Sequence, residues 1–160
     1  MFKKWKPILI TGLLVTLTAC GQEAEAPGDE SQENQEGAEE MNGWQLEVQA
    51  VQENEDLKVE LQLTNNTDDT QTLEFSSSQA YELVMTDDAD EEVYRFSEGM
   101  MFTMAIMEEE IEKGDSRTYE ESIPLTHIEE GNYTLQAEIA GKTEDNSELP
   151  KTTIDVEITK

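Results

Sequence analysis

Apolar residues recur at every second position along much of this chain, and that period decides what it can fold into. Leu57, Val59, Leu61 and Leu63 alternate with Lys58, Glu60 and Gln62. Tyr133, Leu135, Ala137 and Ile139 do the same, as do Trp44 to Ala50, Tyr81 to Met85, Tyr94 with Phe96, and Ile154 to Ile158. A period of two puts one face of an extended strand in a core and the other in water. Turn-forming clusters separate the runs: Asn65-Asn66-Thr67-Asp68-Asp69, Asp87-Asp88-Ala89-Asp90, Lys113-Gly114-Asp115, Glu130-Gly131-Asn132 and Leu149-Pro150. Short strands at such spacing, with no long helical period between them, predict an all-β, immunoglobulin-like antiparallel β-sandwich of seven to nine strands over residues 44–160.

Composition narrows the class further. The single Cys excludes an internal disulfide, so the sandwich is not of antibody type, and it excludes a multi-cysteine metal site. The 36% hydrophobic content suffices for one modest core. Ten Lys and Arg against 38 Asp and Glu give a formal charge of -28. Nucleic-acid binding needs a basic stripe, and none is present.

The N-terminus reads as an export address. Lys3, Lys4 and Lys6 precede an apolar run from Ile8 to Leu17, too short to span a bilayer, which takes roughly 20 residues. The run ends in Leu17-Thr18-Ala19-Cys20, which resembles the lipobox of bacterial lipoproteins. That resemblance implies a signal peptide over 1–19, cleavage before Cys20 and lipidation of its thiol. The expected location is the extracytoplasmic face of the cell membrane, held by the lipid. Residues 21–43 carry eight acids, no Lys or Arg, and one large apolar residue, Met41. With so little to bury, residues 20–43 are expected to be a disordered acidic linker.

Catalytic and metal-binding patterns are absent. His127 is the only His and lies in a turn-like context without a nucleophile motif. Asp88-Ala89-Asp90-Glu91-Glu92 opens like a calcium loop, but Val93 and Gly99 stand where Gly and Glu are needed. Neither an enzyme, a cofactor nor a metal is expected. Gly99 to Met107 fits neither period. It reads as a crossing connection with a short helical turn, packed on the sandwich edge. Phe102 and Ile106 are expected as core anchors, and Met100 and Met104 as partly exposed contacts for a partner, a use suited to adaptable thioethers.

Four stretches between about Leu57 and Gly141 carry a family likeness: Leu63-Thr64-Asn65-Asn66; Leu73 to Glu82; Val93-Tyr94-Arg95-Phe96-Ser97 running into Met101-Phe102; and Lys113-Gly114-Asp115 with Gly131-Asn132-Tyr133-Thr134. In this order and spacing the chain resembles the BsuPI intracellular proteinase inhibitor family. The resemblance implies a compact β-sandwich that inhibits a serine proteinase of subtilisin type through its loops. The alternative from the residues alone is a non-inhibitory immunoglobulin-like envelope module that binds another surface protein. Either way the chain is expected to act as a monomer.

Overall fold

The computed structural model describes residues 34–160. The signal peptide, Cys20 and the linker up to residue 33 lie outside the described residues. Within them the chain forms eleven strands and no helix: β1 (Gln35–Met41), β2 (Trp44–Glu53), β3 (Asp56–Asn65), β4 (Gln71–Phe75), β5 (Tyr81–Asp87), β6 (Glu92–Arg95), β7 (Met107–Ile111), β8 (Ser116–Pro124), β9 (Gly131–Ile139), β10 (Lys142–Thr143) and β11 (Lys151–Ile158). They pair antiparallel in three sheets, ordered β1-β2-β3-β8, β10-β4-β7 and β11-β9-β5-β6. The first packs against the other two as a sandwich, and all three contribute to one buried core.

The alternating runs behave as their period requires. Trp44, Leu46, Val48 and Ala50 of β2 point inward beside Leu57, Val59, Leu61 and Leu63 of β3. Leu83 and Met85 of β5, Leu135 and Ala137 of β9, and Ile154, Val156 and Ile158 of β11 face them. Each Val, Leu, Ile or Met side chain among them contributes about 1.5–3 kcal/mol by leaving water. The buried polar residue Asn65 closes the corner where β3 leaves its sheet. Its side chain donates to the carbonyls of Ile111 (2.9 Å) and Asp69 (3.0 Å). Its backbone exchanges bonds with Gly114 and Asp115. Two stretches of the family likeness, Leu63–Asn66 and Lys113–Asp115, therefore meet at one corner.

The structure corrects the sequence reading in three places. Residues 44–160 form ten strands rather than seven to nine, because short pieces such as β10 and β7 also join ladders, and β1 brings the described residues to eleven. Residues 35–41, assigned to the disordered linker, form β1. Its pairing runs from Gln35↔Ala50 to Met41↔Trp44 through a two-residue turn with positive φ at both Asn42 and Gly43. This is the Asn-Gly hairpin that matches strand twist. Backbone pairing holds β1, so its exposed Glu36, Glu39 and Glu40 need no core. Gly37 lets the strand close on β11, since a Cβ there would lie 2.5 Å from Ile154 Cγ2. Finally, the connection after β6 makes no helical turn, and Ile106, expected in the core, is 72% exposed.

Candidate functional site

One long seam of the sandwich is closed by β1 against β11; the other is open. Along it run β8, at the edge of its sheet, and β5 with β6 opposite. The inner face of β8 is only partly apolar. Ile123 is buried, but Glu121 and Tyr119 follow on the same face, opposite Val59 and Leu61. Two carboxylates of the seam each receive a phenol. Tyr81 Oη donates to Glu121 Oε2 at 2.8 Å, and Tyr119 Oη donates to Glu109 Oε2 at 3.3 Å. Arg117 pairs with the same Glu109.

Aromatic rings fill the space between these groups. Tyr81 stacks on Phe96 with centroids 4.5 Å apart, Tyr119 tilts against Tyr81 at 5.6 Å, and Phe102 tilts against Phe96 at 6.0 Å. Such pairs add about 0.5–1.5 kcal/mol beyond the area they bury. Burial, reinforced by the charges of Glu121 and Glu82, pushes the Tyr94 phenol up to about 12. Burial raises Tyr81 and Tyr119 as well, helped by Glu121 and Glu109 respectively.

On this aromatic floor sits the loop from Phe96 to Ile106. Ser97 N–H donates to Glu82 Oε1 (3.1 Å), and Phe96 N–H to the Leu83 carbonyl (2.9 Å). Gly99 turns the chain with φ 75°, and Met100 N–H reaches the Ser97 carbonyl at 3.3 Å. Farther on, Thr103 N–H donates to Ser78 Oγ, while Ser78 N–H donates to the Thr103 carbonyl, both at 2.9 Å. Phe102 is half-buried between these fixings, so its expected anchoring role stands in part. The expected contact residues lie outside, Met100 at 53% exposure and Met104 at 83%. Met101 projects furthest, at 98%. An apolar surface is thus held out on a fixed backbone.

The remaining candidates do not assemble into chemistry. His127 is exposed in the turn after Leu125. Among the described residues no group of three or more His, Cys, Asp or Glu is placed to hold a metal ion. Nor is any helix there long and apolar enough to cross a membrane. Cys20 lies outside the described residues. The sequence reading missed Ser78 and the phenol–carboxylate pairs, although Ser78 and Tyr81 fall in the Leu73–Glu82 stretch that meets Val93–Phe102 here.

The family model described as "BsuPI: Intracellular proteinase inhibitor" matches residues 44–144, from the first residue of β2 to just beyond β10. The chain belongs to the BsuPI family of proteinase inhibitors. No curated protein matches it. The match contains the whole open seam and its loop, and leaves β1 and β11 outside. A family of inhibitors acts by binding a proteinase, so the BsuPI domain calls for a presented surface.

Proposed function

We propose that this chain is a monomeric, lipid-anchored BsuPI inhibitor that blocks a subtilisin-type serine proteinase outside the cytoplasm. The observation that carries the reading is the exposed apolar loop from Met100 to Ile106, fixed at Ser97, Phe102 and Thr103. Preorganisation of a contact loop reduces the ordering cost of binding, and end loops on a rigid sandwich are well placed to plug a cleft. An inhibitor interface of standard size buries about 800 Å² on each side, within reach of this seam. The anchor rests on Leu17-Thr18-Ala19-Cys20; two acyl chains would hold a protein stably where one would not.

Two measurements test the reading. Detergent-solubilised full-length protein, titrated into a subtilisin-type proteinase, should abolish activity at a stoichiometric end point. Activity that persists at large excess would leave the non-inhibitory envelope module in its place. Separately, Cys20→Ser should move the protein out of the membrane fraction or leave it unprocessed. A processed variant that still sediments with membranes would refute the lipid anchor.

A further inference from the structure

The loop offers several exposed side chains, but only one sits where a proteinase cleft could take it. A segment bound in such a cleft lies extended and adds its backbone to a strand of the enzyme, while one side chain fills the primary pocket. That segment needs free backbone groups at its centre and fixed chain on both sides. Met101 meets the first condition: its N–H and C=O make no hydrogen bond among the described residues. It meets the second through Met100, tied to Ser97, and through Phe102 and Thr103, held by Phe96 and Ser78. All residues from Met100 to Met107 have negative φ. Met104 fails, because Ala105 N–H bonds back to the Thr103 carbonyl at 3.1 Å and puts Met104 at the apex of a tight turn.

Resting on the inhibitor reading above, we propose that Met101 is the residue that enters the primary specificity pocket of the target proteinase. The pocket is then apolar and deep enough for an unbranched side chain, with no acid at its base. Charge describes the rest of the partner. No Lys or Arg occurs from Phe96 to Glu112, while Glu98, Glu108 and Glu110 are exposed beside the loop. The rim of the cleft is therefore neutral or basic. Held on both sides of Met101, the loop resists the relaxation that would let it leave as a substrate.

The decisive experiment exchanges the pocket residue and reads specificity. Full-length protein in detergent is assayed against subtilisin, whose pocket is apolar, and trypsin, whose pocket ends in an acid. Met101→Lys should weaken inhibition of subtilisin on the order of 100-fold and create inhibition of trypsin. Its melting temperature should stay unchanged, because the side chain touches almost nothing. Thr153→Lys, which places the same charge on the exposed face of β11 at the closed seam, should change neither assay. The proposal is overturned if Met101→Lys inhibits subtilisin as the parent does, or if Met104→Lys produces the switch instead. If the unaltered protein inhibits subtilisin and the exchange is silent, the assignment of Met101 alone is wrong. If the unaltered protein inhibits neither enzyme, the inhibitor reading fails and takes this assignment with it.

Discussion

Residues 35–41 and residues 99–107 make an instructive pair. The first is acidic and nearly devoid of apolar groups, yet it is a paired strand. The second holds four methionines, a phenylalanine and an isoleucine, yet it is irregular and mostly exposed. Side-chain hydrophobicity assigns the two the wrong way round. What decides is whether the backbone finds a ladder. β1 has β2 beside it, a turn that aims it there, and a glycine that admits β11. The methionine segment bridges two sheets at their open edge, so the few of its carbonyls and amides that bond do so locally or to Ser78. Apart from Phe102, its apolar side chains have no facing layer.

The contrast can be broken most severely at high pH, because only the methionine side stands on phenols with raised pKa values. An unfolded tyrosine ionises near pH 10, whereas Tyr94 in the fold holds its proton to about 12. The fold thus binds more protons than the unfolded chain in that interval. The stability from this site is whole below pH 10 and is lost as pH rises through 12. Tyrosinate absorbance and circular dichroism should change together above pH 10. Tyr81, Tyr94 and Tyr119 titrating near 10 in an intact sandwich would contradict the packing described.

Next in size is removal of β1. A chain beginning at Gly43 should be less stable than one beginning at Ser31 by about 3 kcal/mol, since several ladder bonds of about 0.5–1.5 kcal/mol net are lost. Equal denaturant midpoints would return residues 35–41 to the linker. Gly37→Val tests the same seam with one side chain. Its Cβ would meet Ile154 Cγ2 and the Thr153 carbonyl, and overpacking of this kind costs about 1–3 kcal/mol. The smallest effect on stability is expected from Met100→Ala with Met104→Ala, within about 1 kcal/mol together. The pair should nevertheless weaken proteinase inhibition measurably. A loss of stability like that of Gly37→Val would mean that these methionines are core.

What the sequence made legible follows from the same physics. β2, β3, β9 and β11 each bury nearly all of one face, and β5 buries Leu83 and Met85, so their alternation is plain. β8 hides because Tyr119 and Glu121 occupy inner positions, a pattern that makes sense only once the seam is seen to be open. β1 hides because its acids say nothing about backbone pairing, although Asn42-Gly43 is a strong hairpin signal. The exposed methionines were legible as a departure from both periods. The aromatic floor and the Ser78 fixing were not, because Ser78 with Thr103 and Tyr81 with Glu121 are joined across 25 and 40 positions. The family likeness did group those stretches, since Leu73–Glu82 and Val93–Phe102 build the floor and the loop together.

The distribution of sulfur across the fold has a further consequence, set by oxidants. A thioether that takes up one oxygen atom becomes a polar sulfoxide and no longer suits an apolar contact. Met85 lies sealed in the core, while Met100, Met101 and Met104 stand in solvent. Peroxide would therefore reach the presented loop long before the interior. Such exposure would silence the surface chemistry of this protein while leaving its sandwich standing, and reductases that restore thioethers would find every damaged sulfur within reach.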